Sequence, residues 1–210
     1  MQEPQDTKAW IAKEAGALFM RYGIRSVSMD DIARQVSMSK KTLYQHYNDK
    51  DALVVAVVQA KFEEDRHDFD SVGQEAENTI EECILFSKMF RKRVKDLNPS
   101  LLYDLKKYYP KAWKMFEEHR EACYEAMLKN MLARGKQEGY FRKEINENIL
   151  VRMRIHQVEM GFDPDIFPPQ DFDTWEVQRS LLDLFFNGIC TTKGLTKMAE
   201  YTTNANTQII

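Results

Sequence analysis

The sequence predicts an all-α protein. Apolar residues recur at three- and four-residue spacing along most of the chain, and clean two-residue alternation is absent. The 8 glycines and 6 prolines fall where helices should stop. With 210 residues, the chain is long enough for a small domain joined to a larger one.

The first helix is expected over about 7–22, where Ile11, Ala15, Leu18, Phe19 and Tyr22 share a face. Gly23 follows as a left-handed cap, and Ile24 is placed to pack back on the last turn. Ser28 opens a second, short helix that ends near Val36. Asp31, three residues on, makes a variant capping box, and Asp30 and Asp31 suit the positive end of the helix. Ile32, Ala33 and Val36 form its inner face. Ser37 and Met38 make a tight turn; a left-handed Ser37 would be strained. Ser39 caps a third helix over about 39–47, with Leu43 and Tyr47 facing inward together.

Asn48 and Asp49 interrupt the pattern and start a fourth helix, about 50–66, carrying Leu53, Val54, Val57 and Val58. Longer helical segments follow at about 75–96, 100–108, 110–138, 146–160 and 173–191. Asn98-Pro99, Pro110, Gly139 and the loop Gly161 to Pro169 separate them. Pro110 sits where a first helical turn tolerates proline. Residues 202–210 read as a frayed tail.

Composition narrows the function classes. The chain is 43% hydrophobic and 30% charged, which suits a folded protein. No apolar run of 18 or more residues occurs, so no membrane helix is expected, and the first residues lack the pattern of a signal peptide. Cys83, Cys123 and Cys190 are odd in number and far apart; they read as small hydrophobes in a reducing, cytoplasmic setting. His46, His67, His119 and His156 show no paired ligand spacing, so neither metal nor cofactor is expected. Glu117, Glu118 and Glu121 lie near His119, but a Glu-x-x-His pattern repeated on two helices is missing. No phosphate loop or catalytic triad is visible, so the chain is not expected to be an enzyme. The net charge is -3. Residues 1–51 hold 8 Lys/Arg against 7 Asp/Glu, and the remainder 22 against 26, so a nucleic-acid surface would be a local patch.

One span carries chemistry. Residues 28–53 join two short capped helices by a tight turn, with small Ala33 allowing close approach, which is the logic of a helix-turn-helix. The outer face of the second helix is Lys40, Lys41, Thr42, Tyr44, Gln45 and His46. Lysines neutralise phosphates or donate to guanine, glutamine can pair with adenine, and a threonine methyl can meet thymine. Tyr44 and His46 can donate to phosphate while their rings cover sugar. Lys50 can meet a phosphate beside backbone N–H groups. An ordinary solvated helix carries similar residues, so composition alone leaves both readings open.

The pattern resembles the N-terminal domain of the TetR (tetracycline repressor) family of bacterial regulators. It is carried by Ala17, Phe19 and Gly23; Ser28, Ile32 and Ala33; Ser39; Thr42, Leu43, Tyr44, His46 and Tyr47; and Lys50 and Leu53. The match spans about residues 8–55. The resemblance implies that Thr42, Tyr44, His46 and Lys50 contact DNA and that Lys40, Lys41 and Gln45 help choose the sequence; the capping residues Ser28 and Ser39 complete the set of DNA-binding candidates. Two departures stand out. Ser37-Met38 replaces a common Gly-Val, and Lys41 stands where Gly, Ala or Pro is common, so no relative's target site transfers.

The resemblance further implies a DNA-binding domain at 1–52 and a larger helical ligand-binding and dimerisation domain at 53–210. The expected partners are operator DNA, a second copy, and a small hydrophobic or amphipathic effector. The helix at 173–191 is apolar on more than one side, which fits burial by its own core and by a partner, or a fully internal helix. Met153, Leu181, Leu184, Phe185 and Ile189 are the interface candidates. Phe86, Phe90, Tyr103, Trp113, Phe116, Tyr124 and Met127 are the pocket candidates, with plain core as the other reading. The resulting expectation is a ligand-responsive homodimeric repressor, in which ligand shifts the population through the fourth helix. A ligand-independent DNA-binding dimer or an activator is the alternative, and a helical enzyme a distant one.

Overall fold

The computed structural model describes residues 6–95 and 97–204. These fold almost wholly as helices: α1 Thr7–Tyr22, α2 Met29–Gln35, α3 Lys40–His46, α4 Lys50–Glu75, α5 Thr79–Lys95 and α6 Leu101–Tyr108. They continue with α7 Pro110–His119, a π-helical turn Arg120–Tyr124, α8 Glu125–Gln137, α9 Glu147–Met160, α10 Thr174–Ile189 and α11 Thr192–Asn204. The all-α class holds. A single antiparallel bridge, Phe141 to Cys190, is the exception among the described residues. None of these helices is long and apolar enough to cross a membrane.

The chain divides into two compact units, with boundaries inside α4 after Arg66, at the end of α5 after Lys95, and after His119. In the first unit, α1 to α3 and the start of α4 bury Ile11, Ala15, Phe19, Ile32, Leu43, Leu53 and Val54. Helices α6 and α7 belong to this unit, because Leu105, Tyr109 and Ala112 complete the same core. Compactness therefore divides the chain elsewhere than residue 52. The second unit centres on Ile80, Cys83, Ile84, Leu132, Phe141, Val151, Phe185, Phe186 and Ile189, drawn from α5 and α8 to α10.

Three local features differ from expectation. Gly23 ends α1 at φ 81°, ψ 153°, outside the left-handed helical well and in a region open essentially to glycine alone. The chain leaves α1 extended there, and a Cβ on Gly23 would stand 3.1 Å from Ser100 Oγ. The expected helix over 110–138 is broken by the π turn. Its extra residue re-phases the apolar face: Ala112 and Phe116 before it pack on the first core, and Leu128, Met131 and Leu132 after it pack in the second. Helix α11 was not expected. Its Gly and Thr content hides it, and burial of Met198 and packing of Tyr201 hold it in place. The tail expected at 202–210 lies from residue 205 onward outside the described residues.

Candidate nucleic-acid interface

The unit at residues 28–47 is built by short-range bonds. The Ser28 Oγ accepts the Asp31 N–H at 3.2 Å, while the Asp31 carboxylate accepts the Ser28 N–H at 2.8 Å and its hydroxyl at 2.6 Å. This is the capping box, with Asp in the place of Glu. Those bonds from Ser28 hold the Asp31 carboxyl below its usual pKa, and Arg34 adds to the effect.

The turn after α2 is a Schellman motif. Met38 N–H donates to Ala33 C=O at 2.9 Å and Ser37 N–H to Arg34 C=O at 3.1 Å. Ser37 takes φ 53°, the only described non-glycine residue with positive φ. Ser39 then caps α3, its Oγ accepting Thr42 N–H at 3.1 Å and lying 2.8 Å from Thr42 Oγ1. Buried Leu43 and Tyr47 turn α3 onto the core, and the Tyr47 hydroxyl donates to Lys8 C=O at 2.9 Å.

With that face fixed, the opposite one is presented to solvent. Lys40, Lys41, Tyr44 and Gln45 are exposed, and Thr42 and His46 are half-buried. Lys41, Tyr44 and Gln45 share one stripe and make no hydrogen bond or ion pair to another described residue. Lys40 is different. Its Nζ lies 2.8 and 3.1 Å from the two Asp30 carboxylate oxygens, an ion pair that raises its pKa. Asp30, ten residues earlier, is a site residue that helix-pattern reasoning missed; only the turn geometry brings the two together.

Ser28 and Ser39 are both exposed at helix starts, with their hydroxyls already engaged in capping. Lys50 is not a freely extended phosphate anchor. Its Nζ donates to Ile24 C=O at 2.5 Å and lies 5.8 Å from the Phe19 ring, and desolvation lowers its pKa. The cation thus sits at the start of α4, folded back on its own unit.

The pocket candidates do not share one unit. Tyr103, Trp113 and Phe116 belong to the first, where Trp113 and Phe116 pack against the core. Phe86, Phe90, Tyr124 and Met127 belong to the second. There Phe69 meets Phe86 and Tyr124 edge-on at 5.5 and 5.0 Å, and Phe90 meets Phe162 at 6.5 Å. A cleft of about 200 Å³ in that unit is lined instead by Arg120, Glu125, Arg152, Ile155 and His156, none of them among the candidates.

Two interface candidates are corrected. Phe185 and Ile189 are 3% and 1% exposed and fill the second unit's own core, because both lie on the inward side of α10. Leu184, Ile149 and Met153 are exposed at 68%, 63% and 40%, and Leu181 is half-buried.

Comparison with known proteins bears on this geometry. Residues 11–57 match the model of the family described as bacterial regulatory proteins, tetR family. The chain is 33% identical over 165 residues to the uncharacterized HTH-type transcriptional regulator YvaF of Bacillus subtilis (strain 168), covering 78% of this chain and 86% of that protein. In fold it is similar to a TetR-family regulator from Agrobacterium tumefaciens, with TM-score 0.73, 17% identity, and coverage of 88% of this chain and 98% of the other. A transcriptional regulator from Saccharomonospora viridis, solved in complex with choline, is similar at TM-score 0.72 and 13% identity, covering 90% of this chain and all of the other.

Proposed function

The chain belongs to the TetR family of bacterial regulatory proteins, and from that premise we propose that it is a ligand-responsive, homodimeric repressor which reads its operator with the outer face of α3. It is a DNA-binding transcriptional regulator. The observation that carries the finer reading is the stripe Lys41, Tyr44 and Gln45: three donors and acceptors, uncommitted among the described residues, on a helix whose other face is locked into the core. Thr42 and His46 flank the stripe. Lys40 exchanges Asp30 for DNA or stays on it and leaves base reading to the other three.

A single helix-turn-helix reads few base pairs, so a second copy adds both site length and affinity. The exposed apolar residues Ile149, Met153 and Leu184 are the surface for that copy. Sensing rests on the second unit, where Phe86, Phe90, Tyr124 and Met127 are candidates to line an effector site. The choline bound by the Saccharomonospora viridis protein supports a small molecule as the signal. Ligand binding favours a conformation in which the paired recognition helices no longer match the operator spacing.

Tyr44→Ala tests the recognition face. Binding to a duplex recovered by the full-length protein from a genomic library should weaken by roughly 1–3 kcal/mol, the range of a good base contact, with the dimer intact. Wild-type affinity would remove Tyr44 from the site.

A further inference from the structure

The charged side chains of this protein are repeatedly held on carboxylates. Lys40 pairs with Asp30, Lys61 with Glu64, Lys136 with Glu147 and Lys197 with Glu200. Other lysines have no such partner among the described residues, and three of these lie close together. Residues 105–114 read LKKYYPKAWK, where Lys114 pairs with Glu118 at 3.8 Å but Lys106, Lys107 and Lys111 meet no carboxylate of a described residue.

In the first unit, α6 and the start of α7 bury Leu105, Tyr109 and Ala112 and leave Lys106, Lys107, Tyr108 and Lys111 exposed. The cations rest on aromatic rings. Lys106 lies 5.5 Å from the Trp113 ring, and Lys107 donates to the Tyr103 hydroxyl at 2.6 Å. Arg25 sits 4.4 Å over the Tyr108 ring and donates to its hydroxyl at 3.1 Å. None of Arg25, Lys106, Lys107 and Lys111 forms an ion pair with a described residue. Cation–π contacts at exposed sites stabilise weakly, so these heads remain available to a stronger anion.

Position ties the face to the helix-turn-helix. The Arg25 N–H donates to the Asp104 carboxylate at 3.3 Å, and the neighbouring Ile24 C=O holds Lys50. Arg25 therefore joins α6 to the segment that leads into the α2 cap at Ser28, and it lies beside the first residue of α4, just past the recognition helix.

We infer that the basic, aromatic face of α6 and α7, with Arg25 at its edge, binds the phosphate backbone of operator DNA outside the base pairs read by α3. The occupant is duplex DNA because the face is cationic on a chain of net charge -3, shares a compact unit with the recognition helix, and sets flat rings beside its cations to cover sugar. The inference rests on the DNA-binding reading and extends it to a second surface. Such contacts add affinity and salt sensitivity without base preference.

The test uses the full-length protein and the duplex it recovers from a genomic library, in a minimal form and in one lengthened by about half a helical turn on each side. The triple variant Lys106→Ala, Lys107→Ala, Lys111→Ala changes only exposed side chains. Its slope of log affinity against log salt should fall by about 0.9 for each phosphate that is no longer neutralised, so releasing two phosphates shrinks the affinity ratio between 50 and 200 mM salt roughly tenfold. Wild type should bind the longer duplex more tightly, the variant should show no such preference, and base preference should stay. An unchanged slope together with an unchanged length dependence would overturn the face and leave the recognition helix standing. Failure of the wild type to select any duplex would instead remove the DNA-binding reading, and this inference with it.

Discussion

Ser37→Gly should stabilise this protein, although it deletes a side chain. Ser37 holds the left-handed position of the turn inside the helix-turn-helix, at φ 53°. Helix α8 ends with the same pair of hydrogen bonds, Tyr140 N–H to Gly135 C=O and Gly139 N–H to Lys136 C=O, but with glycine at φ 75° in the equivalent place. The chain thus shows the unstrained version of its own motif. A residue with a Cβ in that region costs roughly 1–2 kcal/mol. Glycine removes the cost but loses roughly 0.5–1 kcal/mol more backbone entropy on folding. The exposed Ser37 hydroxyl makes no hydrogen bond to a described residue, so nothing else is forfeited. The net expectation is a gain of about 0.5–1 kcal/mol, or roughly 1–4 °C in Tm for a chain of this length. Thermal and urea denaturation followed by circular dichroism would measure it. Ser37→Ala, which keeps the Cβ, is the control and should match wild type within about 0.5 kcal/mol. A Ser37→Gly protein no more stable than wild type, or an alanine variant that gains as much, would refute the reasoning.

Other outcomes follow from the same geometry. Ser28→Ala should cost about 1 kcal/mol by removing the α2 cap. Because Ser28 holds the Asp31 pKa below 3.8, the associated stability is present above that value and fades as pH falls through the lower folded one; acid titration of Ser28→Ala should lack that part of the loss. Arg154 is 7% exposed, and its Nη1 has no hydrogen-bond partner among the described residues; burial lowers its pKa to about 10. Arg154→Met should raise stability at neutral pH by on the order of 1–3 kcal/mol. Wild type should recover part of the difference as pH climbs past about 10, where the buried charge is lost; equal stability of the two proteins at pH 7 would contradict this. Leu184→Arg should lower the sedimenting mass while leaving the helical signal intact, whereas Phe185→Arg, at 3% exposure, should unfold the second unit. An unchanged mass for Leu184→Arg would move the interface elsewhere.

The elements legible beforehand were those set by neighbours three to five residues apart. The α2 capping box, the Ser39 cap and the short turn between them all follow from residue order. So did the inward faces of α1 to α3, since the 3.6-residue period places Ile32 with Val36 and Leu43 with Tyr47 whatever surrounds them. The π turn and α11 carried no comparable signal. One is a change of helical phase within an unbroken run of helix-forming residues, and the other is a stretch of weak formers held by what it packs against.

The candidate site divides the same way. Which residues of α3 face out could be read from sequence, but what each one touches could not. Lys40 and Asp30 are ten residues apart, Lys50 and Ile24 twenty-six, and Arg25 and Tyr108 eighty-three. Helix α10 shows the limit most plainly: an apolar surface on several sides leaves open which side is core, and only packing placed Phe185 and Ile189 inside with Leu184 outside. Sequence by itself determined the all-α class, the capped helix-turn-helix and its outward stripe, because those depend on backbone periodicity and on bonds spanning a single turn. Tertiary structure alone decided that α6 and α7 complete the first core, that Lys50 folds back onto a carbonyl, and that Lys106, Lys107 and Arg25 line a cationic face. Those outcomes depend on contacts across long sequence separations, which no local pattern encodes.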